Sequence, residues 1–246
     1  MQPGVLTMPK FFVISDIHSA YTPMVKALKE AGFNVNNPDH KIILCGDLFD
    51  RKDESLAVYN WAVDMINKDK LIYVKGNHES LIMDCTRRRY PQWHDKSNGT
   101  FKTIIDLAPD AMTFEEACMV TRKKLQPLFD NCVDYFESAN YIFVHSFIPI
   151  VPKGTDWRTA SKQKWEDARW ENPYELAEFG LLPEKTLVFG HFHTSWPRHV
   201  FEDKPEWGDG ADFSIYYGDG YIALDGCVAY SGQVNVLVLE DEYLEE

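Results

Sequence analysis

The sequence predicts an α/β fold built on a parallel sheet, and three observations point there. Short apolar runs alternate with amphipathic helical stretches through the first third of the chain, the pattern of strand–loop–helix units. The turns after these runs carry Asp, His or Asn. In a parallel sheet such turns gather beyond the carboxyl ends of the strands, where sites form.

Taken in order, residues 1–9 read as a loose leader. Lys10 to Ser15 is a buried strand with Asp16-Ile17-His18 at its end. Tyr21 to Gly32 is a helix: Met24, Ala27, Leu28 and Ala31 share a face and Gly32 stops it. After a turn from Asn34 to His40, the strand Lys41 to Cys45 delivers Gly46-Asp47-Leu48-Phe49-Asp50-Arg51, two carboxylates and a guanidinium in one tight turn. Ser55 to Lys68 is a second amphipathic helix, with Leu56, Tyr59, Val63 and Ile66 on its apolar side. Leu71 to Lys75 is a third strand and ends at Gly76-Asn77-His78-Glu79.

The pattern then breaks. Residues 80–138 read as a mostly helical insertion beside the site, with a helical run from Thr113 to Asn131 and a basic triplet, Arg87-Arg88-Arg89, on a solvated face. Tyr141 to Val144 is a strand leading into His145-Ser146. Residues 152–183, polar and rich in Trp and Arg, read as covering loops and short helices. Thr186 to Phe189 is a strand followed by Gly190-His191-Phe192-His193. Glu202 to Gly220 is turn-rich, and Tyr221 to Leu224 with Val234 to Glu240 read as a late hairpin closing a second sheet. The acidic tail from Glu240 is expected to fray. The whole, 1–246, reads as a single domain.

Composition narrows the function. The 45% hydrophobic content supports a real core. A net charge of −13 argues against a broad nucleic-acid or anionic-membrane surface, although bound metals can create local positive charge. No apolar run approaches the roughly 20 residues of a membrane helix, and the start lacks signal-peptide character. The five cysteines are scattered, odd in number and without a Cys-x-x-Cys pair, which reads as reduced thiols in a cytoplasmic protein. Asn98-Gly99-Thr100 reads as a turn rather than a glycosylation acceptor.

Asp, His and Asn without thiolates suit hard or borderline divalent metals in a hydrolytic site. Two metals about 4 Å apart need a shared ligand, and a carboxylate can bridge them. Asp47 lies in the middle of the set, with Asp16 and His18 before it and Asn77, His145 and His191 after it. The ordered motifs Asp-x-His, Gly-Asp-x-x-Asp-Arg, Gly-Asn-His-Glu, a His after a strand and Gly-His-x-His, over residues 12 to 194, resemble the calcineurin-like metallophosphoesterase superfamily.

That resemblance implies a two-sheet α/β/β/α sandwich and two divalent metal ions, manganese first, with iron, zinc or nickel as alternatives. It implies that Asp16, His18 and His193 hold one metal, that Asn77, His145 and His191 hold the other, and that Asp47 bridges. It also implies that His78 protonates the leaving oxygen or contacts the phosphate, that Asp50 orients His78, and that Arg51 grips phosphate oxygens. These last roles match the phosphoprotein phosphatase branch and the bacterial diadenosine tetraphosphate hydrolases. A second phosphate-gripping arginine is expected at Arg169, ahead of Arg158. Ser19 and Phe147 replace the glycines usual in that branch and would narrow the site.

Each motif alone has a plainer reading, as a cap, a turn or an alternating strand residue. Asn77 is a good helix opener, and Glu79 in a first turn needs only to favour the helix dipole. Five such coincidences in order favour the metal site. His40, His94 and His199 read as surface residues. The Trp residues from 157 to 207 read as core of the covering region, with a base-stacking role open to Trp165 or Trp170. The first function expected is phosphomonoester hydrolysis, including phosphoserine and phosphothreonine. The alternative is a dinucleoside polyphosphate or phosphodiester hydrolase, and a non-catalytic interaction module ranks last. The partners expected are a phosphorylated small molecule, a nucleotide or a phosphoprotein.

Overall fold

A computed structural model of the chain describes residues 8–244. The elements run β1 (Lys10–Ile14), α1 (Tyr21–Glu30), β2 (His40–Cys45), α2 (Ser55–Asn67) and β3 (Leu71–Val74). Four helices follow: α3 (Asn77–Arg88), α4 (Trp93–Ser97), α5 (Thr100–Leu107) and α6 (Phe114–Asp130). Then come β4 (Phe136–Glu137), β5 (Tyr141–Phe143), α7 (Lys162–Ala168), α8 (Pro173–Glu178), β6 (Thr186–Phe189) and α9 (Ser195–Glu202). The chain closes with β7 (Tyr216–Gly218), β8 (Tyr221–Ala223), α10 (Val228–Ser231) and β9 (Leu237–Glu240).

Two sheets result, ordered β3-β2-β1-β9 and β4-β5-β6-β8-β7. The strands that carry the motifs pair in parallel: β1 with β2, β2 with β3, and β5 with β6. Their side chains alternate, as a strand requires. Phe11, Val13, Ile43, Cys45 and Val74 point into the layer between the sheets and meet Phe143, Val188, Ile222 and Leu224 there. Phe12, Ile14, Ile42 and Leu44 point the other way, onto Met24 and Leu28 of α1, Val58 and Ala62 of α2, and Ile82, Ile104 and Leu125 of the insertion. Leu187, Phe189, Tyr221 and Ala223 cover the second sheet's outer face against Trp165 and Tyr174. Strands buried on both faces explain why the motif-bearing runs read as continuously apolar. The layering is the expected α/β/β/α sandwich.

The late hairpin does not form. Residues 221–224 and 234–240 go to different sheets: β8 pairs with β6 and β7, and β9 crosses over to pair antiparallel with β1. Leu224 and Leu237 both face the layer between the sheets, so splitting the two strands buries both. Asn235 ties the crossing, donating to Phe213 O at 2.8 Å and Leu224 O at 2.9 Å. The hairpin partner of β8 is instead β7, inside the stretch read as turns. The tail is also anchored at its start. Asp241 is buried and accepts from Ser138 Oγ at 2.6 Å and Asn140 N at 2.9 Å. The rest of the leader and tail readings, residues 1–7 and 245–246, lie outside the described residues.

The insertion begins within the site, because α3 opens at Asn77. It returns beside β3, where Lys75 N donates to Val133 O at 2.9 Å. Arg87 pairs with Asp84 within α3, while Arg88 and Arg89 reach Asp95 of α4 and Glu115 of α6. Among the described residues no helix is long and apolar enough to cross a membrane.

Candidate dinuclear metal centre

The five motif loops meet at the carboxyl ends of β1, β2, β3, β5 and β6. Backbone bonds stitch the first two together: Asp16 N to Gly46 O at 3.2 Å, His18 N to Asp47 O at 3.0 Å, and Ser19 N to Leu48 O at 2.8 Å. Gly190 N to His145 O at 2.8 Å extends the β5–β6 pairing, and the two sheets join through His191 N to Asp16 Oδ2 at 2.9 Å. This close approach explains two glycines. A Cβ at Gly46, where φ is +81°, would stand 2.7 Å from Gly76 Cα, and one at Gly190 would collide with the Asp16 carboxylate. Asp16, His18, Asp47, Asp50, Arg51 and His191 all adopt positive φ. Each such residue costs about 1 kcal/mol or more, so the surrounding fold holds these loops in place against local preference.

Asp47 is the common member of two groups, buried except for a partly exposed His191, whose ligand atoms lie within 4.8 Å of one another. One is His18, Asp47 and His78; the other is Asp47, His145 and His191. His18 Nδ1 lies 3.0 Å from Phe49 O and His145 Nδ1 lies 2.9 Å from Cys45 O. A carbonyl only accepts, so both Nδ1 atoms donate and each Nε2 lone pair faces the site. His145 Nε2 stands 2.9 Å from the Asn77 amide oxygen and 3.1 Å from His191 Nδ1. The same end of that amide meets both Asp47 oxygens, at 3.1 and 3.2 Å. Turned over, the amide would donate its NH2 to these acceptors; beside a cation its carbonyl oxygen would serve as a ligand. Asp16 Oδ1 is buried with no hydrogen-bond partner among the described residues. Acceptors crowded together and an unpartnered buried carboxylate oxygen fit divalent cations.

The electrostatics agree. Burial, reinforced by the His78 charge, keeps His18 well below the usual His range, and burial with the His145 charge brings His191 to about 3. Both are neutral near pH 7, the form that binds metal. Burial alone would raise Asp47, but His145, His78, His18 and His191 together hold it below the usual carboxylate range. Burial, then the charges of Asp225 and Asp47, pushes Asp16 well up. Burial also lifts Asp225 to about 6. Two buried carboxylates that resist ionising beside one another are what a cation relieves.

His78 stands apart chemically. Its Nδ1 lies 2.7 Å from Asp50 Oδ2, and its Nε2 faces Asp47 Oδ2 at 3.9 Å. Burial works against its proton, yet the Asp47 charge and the Asp50 bond outweigh it and raise His78 above the ordinary value. Asp50 is fully buried and takes two further bonds, from Thr100 Oγ1 and Thr103 Oγ1, each 2.7 Å. Both hydroxyls come from α5, so the insertion reaches into the site. Nothing in the sequence tied those threonines to Asp50, because the contact spans 50 residues.

Glu79 is the other residue the sequence reading set aside. Fully buried, it accepts from Asp47 N at 3.1 Å, Leu48 N at 3.0 Å, Gly76 N at 2.7 Å and Tyr73 Oη at 2.7 Å. Its spacing from Gly76 is that of a capping box, the one local signal that could have found it. Its bonds to the Asp47 turn are long-range.

The remaining expected residues belong to neither group. Arg169 is buried, and its Nε, Nη1 and Nη2 donate to Lys75 O, Glu166 and Asp134. Arg158 is engaged by Glu137 and Asp156. His193 bonds Ser195 Oγ at 2.9 Å and faces Glu206 at 3.4 Å, and it belongs to neither ligand group. The Arg51 guanidinium is exposed and has no hydrogen-bond partner among the described residues, while its charge acts on His18, His78, His191 and Asp225.

A family model described as calcineurin-like phosphoesterase matches residues 9–218. A bis(5'-nucleosyl)-tetraphosphatase PrpE [asymmetrical] of Bacillus velezensis is 32% identical over 124 residues, 48% of this chain and 50% of that protein. Its counterpart in a Geobacillus species is 33% identical over 137 residues, 53% of this chain and 54% of that protein. The chain thus spans about half the length of the curated relatives it matches. Among solved structures, a protein provisionally assigned as a diadenosine tetraphosphatase superposes with a TM-score of 0.55 at 14% identity, covering 99% of this chain and 97% of that one. A Saccharomyces cerevisiae serine/threonine phosphatase with similarity to human PP5 gives 0.55 at 12% identity, over 99% and 82%. At such identities these two likenesses concern the fold.

Proposed function

The chain belongs to the calcineurin-like phosphoesterase family, and from that premise we propose that it is a two-metal hydrolase of phosphoric anhydrides, with dinucleoside polyphosphates as its substrate class. The observation that carries the reaction type is the Asp47 carboxylate standing between His18 Nε2, at 3.8 Å, and His145 Nε2, at 3.5 Å. The substrate class draws on the relatives that bear a tetraphosphatase name. Phosphomonoester hydrolysis, the first expectation from the sequence, becomes the second reading.

Asp16 and His18 would hold one ion, Asn77, His145 and His191 the other, and Asp47 both. The His193 ring, held by Ser195 and facing Glu206, is left out of this assignment. When bound, two divalent cations acidify a water and offset the charge growing on the phosphoryl oxygens. The protein does the rest. Asp50 fixes His78 through Nδ1, so Nε2 faces the reacting side. As the P–O anhydride bond breaks, the proton on Nε2 passes to the departing oxygen. Arg51, whose guanidinium has no hydrogen-bond partner among the described residues, receives phosphoryl oxygens in its planar fork.

Manganese-loaded protein should show its highest kcat/KM on diadenosine tetraphosphate, compared by initial rates with p-nitrophenyl phosphate and a phosphoserine peptide. Turnover of the peptide alone would overturn the substrate class. A protein with both metals bound and no turnover of any of the three would overturn the enzyme reading.

A second expectation concerns the insertion. Replacing Thr100 and Thr103 together by Val removes two donors from the buried Asp50 carboxylate. Turnover should fall about tenfold or more while metal content, measured by elemental analysis, stays at the parent level, and the Ser pair should recover most of the rate. An unchanged rate would mean that Asp50 needs no such support.

A further inference from the structure

We propose that the exposed indole of Trp170 is a nucleobase platform, seating the nucleoside joined to the phosphate at the metal centre. The inference rests on the nucleotide reading above and names the residue that would give it specificity. The sequence left the role open between Trp165 and Trp170, and the structure separates them. Trp165 is 3% exposed and stacks on Tyr135 at 5.3 Å in the core of the covering region. Trp170 is 49% exposed, and its ring stands edge-on to His191 of the candidate metal centre, with centroids 6.4 Å apart at 85°.

The backbone around Trp170 is pinned on both sides. Arg169, the preceding residue, spends its guanidinium on Lys75 O, Glu166 and Asp134. That fixes the end of α7 to the loop that carries Asn77. Glu171, the following residue, accepts from Ser146 Oγ at 2.7 Å, beside His145. Trp170 N itself bonds Asp167 O at 3.0 Å. A half-exposed indole on a fixed backbone loses little freedom when a ligand covers it. Arg169 thereby gains a positioning role in place of the phosphate contact expected from sequence.

Other exposed aromatics are less suited. Trp207 is 47% exposed, but His193, Tyr230 and Phe213 already surround it, at 4.5, 5.1 and 6.1 Å. For Trp170, His191 is the aromatic neighbour among the described residues, and about half of its surface is open. Base stacking on an aromatic face tolerates any base, so weak discrimination among bases is part of the proposal.

The test is calorimetric binding of AMP and of ribose 5-phosphate to metal-loaded protein. Both carry the phosphate and the sugar; only AMP carries a base. The parent protein should prefer AMP, and Trp170→Ala should weaken AMP binding by about tenfold or more and abolish that preference. Trp170→Phe should retain most of it, which guards against an unfolded Ala variant. With diadenosine tetraphosphate as substrate, the Ala change should appear mainly in KM. Equal affinity for the two ligands in the parent, or a preference that survives in Trp170→Ala, would overturn the platform. If the parent fails to cleave the dinucleotide, the proposed function fails, and the AMP comparison still decides the platform.

Discussion

Replacing Asp47 by Asn is expected to reduce turnover of every phosphoric ester by about a thousandfold or more, about 4 kcal/mol of barrier, and to cost one bound metal per chain. Among the described residues the carboxylate is the one member common to both groups of potential ligand atoms. An Asn in its place keeps the shape but loses the charge. It offers one oxygen where two are needed, and it turns an NH2 toward the imidazole nitrogens of His18, His78 and His145, which stand 3.8, 3.9 and 3.5 Å from the carboxylate. The fold should survive, because the Asp47 backbone is held independently, through its N–H to Glu79 and its carbonyl to His18 N. Initial rates and elemental analysis on the same preparation give the result. Two metals per chain with parent-like turnover would remove the bridging role.

Glu79→Ala is expected to give the largest loss of stability, about 4 kcal/mol or more. It would leave three backbone N–H groups and the Tyr73 hydroxyl without their acceptor, each costing about 1–3 kcal/mol when buried. It would also release the strained Asp47 turn, where φ is +55°. For a chain of this size a loss of that order lowers Tm by roughly 10 °C, measurable by calorimetry on metal-free protein. Tyr73→Phe removes one of the four donors and should cost about 1 kcal/mol. A Glu79→Ala variant within about 1 kcal/mol of the parent would mean that water or a rearranged turn replaces the carboxylate.

The fold was largely legible in the sequence because its strands are short and buried on both faces, so their apolar runs stand out from the polar turns between them. The late strands were misassigned for the same reason. Residues 221–224 and 234–240 look alike in sequence, and only the crossing held by Asn235 sends one to each sheet. In the site, the residues at strand ends could be read because position and residue type coincide there. Arg169 could not: its sequence neighbourhood suggested a phosphate contact, while Lys75, Glu166 and Asp134 supply its partners.

The sequence by itself determined the family, the strand–loop–helix order and the set of Asp, His and Asn residues brought to one edge of the sheets, because each follows from local pattern and chemical type. Only the tertiary structure decided which groups support them. Glu79 under the Asp47 turn, Thr100 and Thr103 behind Asp50, and Trp170 beside His191 all act across contacts made when distant segments pack. A hydrogen bond between residues 50 apart leaves no period or spacing in the chain.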